Sequence, residues 1–269
     1  MSRRSLRHPS GVLDLRRGER WFHADRHPPA AALAELVEHY WVVRWDVRRG
    51  DPYTQHTLSN ASVHLCFERG RSRVQGVVTG RFTRVLKGAG CVFGVKFRPA
   101  GFRPFLGSSV AALSDRTLPV AAVFGGAGDT LVARVLALAE DAPIVTLLDG
   151  FIAERLPPPD PTVAQVNALV AAIVAERTIT RVDQVAERAG VRTRTLQRLF
   201  SEYVGVSPKW IIRRYRLHEA AQRLAEGPDT SLADLALELG YWDQAHFVRD
   251  FKAVVGRPPA EYARDASAG

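Results

Sequence analysis

Two short stretches near the end of the chain carry side chains suited to reading nucleic acid. Arg192, Thr193, Arg194, Gln197 and Arg198 fall within seven residues, and Gln244, His246, Arg249 and Lys252 within nine. Arginine can pair bidentately with guanine and glutamine with adenine, each worth roughly 1–3 kcal/mol of discrimination. From Arg188 to Ser201 there are four arginines and no acidic residue. Lys209, Arg213, Arg214 and Arg216 form a second basic cluster without acids, and some of these cations are expected to hold phosphates and fix register without reading sequence.

The elements that must position these side chains occur twice. Val185, Ala186 and Gly190 match Leu235, Ala236 and Gly240; after one inserted residue, Arg198, Phe200, Gly205 and Pro208 match Arg249, Phe251, Gly256 and Pro259. Each copy reads as a helix, a glycine turn and a second helix, the arrangement that places its second helix in the major groove. The small alanines suit close helix crossing, and Gly190 and Gly240 suit a turn of positive φ. Thr180 with Asp183, and Ser231 with Asp234, fit N-terminal capping boxes. Leu196, Leu199 and Phe200 define one apolar face, and Phe247 and Phe251 another. Ser207-Pro208 starts a joining helix and Gly227-Pro228 stops it. That helix is about 19 residues, roughly 28 Å. It could set two recognition helices close to one DNA turn apart, roughly 34 Å.

The segment from about Val163 to Arg264 resembles the DNA-binding domain of the AraC/XylS family of bacterial transcription regulators. The resemblance is carried by Leu196-Gln197-Arg198-Leu199-Phe200, Gly205-Val206-Ser207-Pro208, Gly240-Tyr241, Asp243-Gln244-Ala245-His246-Phe247 and Phe251 to Pro259. It implies base contacts from Arg194, Gln197 and Arg198, and from Gln244, His246 and Arg249. Trp242 departs from it, standing where many relatives carry a small polar residue.

The first half reads differently. Glu38 to Trp45, Val63 to Phe67, Ser72 to Thr79, Arg81 to Leu86 and Cys91 to Arg98 have strand character, with Gly and Asp-Pro punctuation between them. Ala30 to Val37 has helix-forming composition, Phe102 to Leu118 contains a short helix, and two further helices, Thr130 to Glu140 and Ile144 to Leu156, are split by Pro143. Their apolar stripes suit packing on their own domain or on a second subunit. The expected fold class is multidomain α+β. A β-rich barrel or sandwich with helices precedes an all-α domain of two helix-turn-helix units on a long helix. The expected divisions are an Arg-rich tail (1–29), the β-rich domain (30–156), a Pro-rich linker (157–161) and the DNA-binding domain (162–269). His39-Tyr40-Trp41, His64 to Phe67 and Gly94 to Phe102 resemble an uncharacterised domain found ahead of AraC-type DNA-binding domains; the resemblance implies sensing or dimerisation. Ala100 stands where relatives usually carry a second glycine.

Trp41, Phe67, Phe93 and Arg98 are the candidate ligand-binding residues, set against the simpler reading that such aromatics fill a core. His64 and Cys66 share a strand face that His56 or Cys91 could complete as a metal site, but no metal-ligand spacing supports it, and no metal or cofactor is expected. No nucleophile-base set points to an enzyme. An enzymatic first half with DNA binding secondary stays open as the rival reading, and a methyl-transfer role would need an activated Cys66 or Cys91.

The chain has 269 residues and a net charge of +9. Residues 161–269 carry 15 basic and 13 acidic residues, so the excess lies in the first half and bulk charge does not locate a DNA surface. The tail contributes Arg3, Arg4, Arg7, Arg16, Arg17 and Arg20. No apolar run reaches membrane-spanning length and no secretory signal opens the chain, so the expectation is a cytoplasmic protein without a membrane partner. Double-stranded DNA is the expected partner; a small-molecule effector, RNA polymerase and a second copy of the chain are open as others.

Overall fold

The computed structural model describes Leu13 and residues 20–48, 52–227 and 231–267. The arginines from Arg3 to Arg17 lie outside the described residues. Eight strands are described: β1 (Phe22–His27), β2 (Val37–Asp46), β3 (Tyr53–Leu58), β4 (His64–Phe67), β5 (Arg73–Gln75), β6 (Arg81–Leu86), β7 (Ala89–Phe97) and β8 (Thr117–Leu118). Six form an antiparallel sheet in the order β1-β2-β7-β4-β5-β8, and β3 pairs with β6 in a separate ribbon. The first half is therefore built from two sheets, as its strand spacing suggests.

Alternation along the strands sorts the two faces of the large sheet. Tyr40, Val42, Leu65, Phe67, Phe93 and Val95 point to one face and are buried. Against them pack α3 (Gly126–Ala137) and α4 (Asp141–Ala153) through Leu131, Val135, Ile144, Leu148 and Ile152. Those helices thus cover their own sheet. Tyr40 Oη donates to Asp149 Oδ1 at 2.7 Å, pinning α4 to β2. The opposite face carries His39, Trp41, His64, Cys66 and Lys96.

Four local expectations change. Residues 22–27, read as tail, form strand β1. Ala30 to Val37 contributes only a 3-10 turn at Ala31–Leu33 before joining β2. The strand expected over Ser72 to Thr79 stops at Gln75, because the next residues turn beneath the 110–116 segment: Gly76 N donates to Arg116 O, and Asp115 N to Val77 O. Pro143 does not split two helices; it lies in the first turn of α4, where its missing N–H costs nothing.

The second half is helical: α5 (Pro161–Ala175), α6 (Val182–Arg188), α7 (Thr193–Tyr203), α8 (Pro208–Glu226), α9 (Leu232–Glu238), α10 (Gln244–Val255) and α11 (Pro259–Ser267). Two short helices, α1 (Arg103–Leu106) and α2 (Ala121–Phe124), belong to the first half. The expected stiff linker does not hold the halves apart. Ala61, Val77 and Ala100 are buried in the same cluster as Val166, Leu196, Phe200 and Ile211, and Leu13 and Leu58 join the cluster around Phe247 and Phe251. Asp160 caps α5 and accepts from Tyr203 Oη at 2.7 Å, so the linker itself is bound to α7. Ala100 N donates to Asn167 Oδ1, and Asn167 Nδ2 to Glu35 O. The departure noted at Ala100 is thus where α5 docks.

Candidate nucleic-acid interface

The repeat seen in the sequence is a structural repeat. Leu196 and Phe247 occupy equivalent places and are both fully buried; so are Phe200 and Phe251. The turns match bond for bond. Gly190 N donates to Glu187 O and Gly240 N to Leu237 O, each at 3.0 Å; Val191 N donates to Ala186 O at 3.1 Å and Tyr241 N to Ala236 O at 2.9 Å. Both glycines have positive φ, 63° and 79°. α8 joins the units as its sequence indicates. Ser207 Oγ accepts from Trp210 N, Pro208 is the first helical residue, and the helix runs 19 residues to Glu226.

One bond of the expected box forms in the second copy, and a different residue closes the first. Ser231 Oγ accepts from Asp234 N at 3.3 Å. In the first copy the reciprocating residue is Gln184, whose Oε1 accepts from Thr180 N and Arg181 N, both at 2.9 Å. The amide reaches two donors that the shorter Asp183 does not.

The exposed side of α7 is strongly basic. Arg192, Thr193, Arg194, Gln197 and Arg198 are all exposed, while Leu196 and Phe200 face inward. On α10, Gln244, Arg249 and Lys252 are exposed. His246 is partly covered: its ring meets Tyr241 edge-on at 5.2 Å, and its Nε2 lies 3.7 Å from Asp250. Arg249 Nε donates back to Ala245 O at 3.3 Å. Asp243 Oδ1 caps α10 by accepting from His246 N at 2.7 Å. Just before it, Trp242 is 91% exposed. An indole so open just before α10 has room to lie against a partner.

Two members of the second basic cluster, Arg214 and Arg216, are not free to hold phosphate, and the expectation is corrected for them. Lys209 is exposed, but Arg213 pairs with Asp250 through Nε–Oδ2 and Nη2–Oδ1, both at 2.7 Å. Arg214 and Arg216 are each 2% exposed. Arg216 donates to Glu176 O and Ile179 O, closing the end of α5. Arg214 donates to the carbonyls of Thr79 and Gly80 in the first half and lies 4.6 Å over the Trp210 ring. Burial pulls its guanidinium down to about 10, still protonated at neutral pH.

Further contacts tie the first half to both units. Ser114 Oγ donates to Gly205 O at 2.6 Å, Ser109 Oγ to Ser201 O at 3.2 Å, and Arg103 pairs with Glu202 at 2.9 Å. Arg81 Nη1 donates to Val255 O at 2.7 Å, at the end of α10. Sequence reasoning missed this docking surface. Arg214 gives a signal in retrospect: it lies three residues from both Ile211 and Leu217, on the apolar phase of α8.

The four candidate ligand residues are not brought together. Phe67 and Phe93 are cross-strand partners on the helix-covered face. Trp41 is on the other face, over Gly94, its Nε1 donating to His64 Nδ1 at 3.1 Å. Arg98 lies beyond β7 and donates through Nε to Ala34 O. Among the described residues, no group of three or more His, Cys, Asp or Glu gathers to hold a metal ion. Burial pushes the Cys66 thiol up to about 11 and raises Cys91 as well, opposite to the shift an activated nucleophile needs. No helix among the described residues is long and apolar enough to cross a membrane.

Residues 185–265 match the model of a helix-turn-helix domain, and residues 25–119 match a domain of unknown function, DUF6597. An uncharacterized HTH-type transcriptional regulator of Haemophilus influenzae is 32% identical over 101 residues, covering 38% of this chain and 34% of that protein. The probable transcription factor PqrA of Proteus vulgaris is 34% identical over 87 residues, 32% of this chain and 70% of that protein. The chain belongs to the AraC family of transcription regulators. A putative AraC-like transcription regulator of Streptomyces lividans is 35% identical over 83 residues, 31% of this chain and 27% of that protein. The match thus spans about a third of the Haemophilus and Streptomyces relatives. The helix-turn-helix match at residues 185–265 spans both helix-turn-helix units.

Proposed function

We propose that this AraC-family chain binds promoter DNA and regulates transcription by reading two adjacent major-groove segments, one with α7 and one with α10. The observation that carries this reading is the repeat of buried positions, Val185 with Leu235, Ala186 with Ala236, Leu196 with Phe247 and Phe200 with Phe251, behind two exposed polar helices. Two scaffolds of the same build present Arg194, Gln197 and Arg198 on one side and Gln244, Arg249 and Lys252 on the other. The α8 spacer of 19 residues, roughly 28 Å, suits neighbouring grooves. Arg192, Thr193, His246 and Trp242 flank these readers and suit contacts to sugar and phosphate. The first half receives a signal and passes it to the DNA through its contacts with both units. The reading assigns the chain no catalytic step, and places it in the cytoplasm with RNA polymerase and a second copy as further partners.

Selection of bound sites from random-sequence duplex at physiological salt tests it. Two short enriched motifs close to one helical turn apart are expected. Sequence-independent binding that fades with salt would mean that the repeat is a scaffold and not a reader.

A further inference from the structure

The large sheet ends at β8, and the β3–β6 ribbon stands beside that edge. Between them lies a cleft of about 470 Å³. Three arginines line it: Arg71 from the loop before β5, Arg73 from β5 and Arg84 from β6. Its apolar surface comes from Phe82, Leu118 and Pro119. Behind the arginines sits one buried carboxylate, Glu68, which Arg84 bonds directly and whose Oε2 lies 3.9 Å from Arg73. One carboxylate therefore stands against three guanidinium groups. Arg71 is exposed at the rim.

The volume lies within the range that holds small molecules. Guanidinium groups recognise carboxylates bidentately, and a ring-and-aliphatic wall accommodates an apolar body. A cleft between two sheets, with a carboxylate behind its cations, suits a small anion better than a duplex backbone.

Both walls lead within a few residues to the helical half. On β6, Phe82 and Arg84 follow without a break from Arg81, which donates to Val255 O at the end of α10. On the other wall, Thr117 follows Asp115 by two residues. Asp115 accepts from Thr79 N at 2.8 Å and Thr79 Oγ1 at 2.6 Å, and the Thr79 carbonyl in turn receives Arg214 of α8. Asp115 holds a φ of 58°, an unusual backbone for a non-glycine residue, at this junction.

We propose that this cleft is an effector site for a small organic anion, a carboxylate on an apolar body, and that its occupancy changes how the two helix-turn-helix units are held. The binding claim stands alone; the transmitted effect rests on the DNA reading proposed above.

Calorimetric titration of the full chain with hexanoate, and with hexanamide as the neutral control, tests it. Saturable hexanoate binding is expected, with no saturation by hexanamide. Arg73→Gln is expected to weaken hexanoate at least tenfold. Arg71→Gln, at the exposed rim where folding is not at stake, is expected to weaken it measurably. Circular dichroism confirms the fold of each variant. Equal binding of acid and amide, or no saturation by about 10 mM hexanoate (far weaker than 1 mM affinity), overturns the site. The same preparations are titrated with random-sequence duplex, with and without hexanoate. A change in DNA affinity matched by an equal change in hexanoate affinity supports transmission; binding of both with no mutual effect overturns it. A chain that binds DNA but not hexanoate loses the cleft and keeps the DNA reading. One that binds hexanoate but not DNA does the reverse. If Arg71→Gln instead lowers DNA affinity and hexanoate does not bind, the cleft is a phosphate-contacting surface and the proposal falls.

Discussion

Arg198 and Arg214 share a side chain and differ in everything that surrounds it. Arg198 projects from α7 into solvent, whereas Arg214 is 2% exposed and donates to two backbone carbonyls of the first half. Arg198→Ala is expected to cost roughly 1–3 kcal/mol on a selected site and to relax specificity there. An equal loss on random duplex, seen by fluorescence anisotropy, would make it a phosphate contact. Arg214→Met leaves the Thr79 and Gly80 carbonyls without their donor, a cost of about 1–3 kcal/mol in folding. Its urea midpoint should fall while the salt dependence of DNA binding stays unchanged. A salt slope reduced by about 1 with no loss of stability would restore Arg214 as a phosphate contact. Residue type alone does not separate these two; helical phase does so in retrospect, because Ile211, Arg214 and Leu217 fall on one face.

At the scale of elements, the two glycine turns have the same backbone and different neighbours. A Cβ on Gly190 meets open space, while one on Gly240 would lie 2.6 Å from Thr180 Cγ2. The second unit's turn therefore rests on the entry to the first unit. Both Gly190→Ala and Gly240→Ala carry the left-handed backbone penalty, roughly 1–2 kcal/mol. Gly240→Ala should cost clearly more, and equal thermal denaturation shifts for the two would mean that the units do not press together there. The helical half was legible because its rules are local: small-residue crossings, glycine turns, a Ser-Pro start. The core strands β2, β4 and β7, and the ribbon strand β6, were legible from apolar alternation. β1 and β3 were not, since FHADRH and YTQHTL are polar segments that become strands only by pairing with β2 and β6. Apart from the helical phase of Arg214, the docking of the halves was hidden because its contacts join residues far apart in the chain, which no spacing encodes.

At the scale of the molecule, burial holds two histidines neutral. His64 lies on the sheet face turned away from α3 and α4, and His218 lies on α8; burial pushes each down to about 3. Unfolded, both would titrate near 6.5. Between those values the unfolded chain binds protons that the folded one refuses, so stability falls as pH drops from about 6.5 toward 3. Urea midpoints measured across that window should decline, and His218→Gln should flatten the decline. An unchanged slope in that variant would show that His218 is solvated.

Gly205 and Gly256 are equivalent positions of the repeat, and the first half touches both, through Ser114 and Val110 at one and Arg81 at the other. An asymmetric domain thereby grips a repeated one at matching points, just past α7 and α10. Each base pair inserted between the two half-sites turns the second by about 35° around the duplex axis, at 10–10.5 base pairs per turn. In the proposed reading, two readers clamped in this way act as a gauge of helical phase. Promoters with the right letters at the wrong pitch would present one half-site to α7 and turn the other away from α10, so the distance between half-sites becomes part of the word being read.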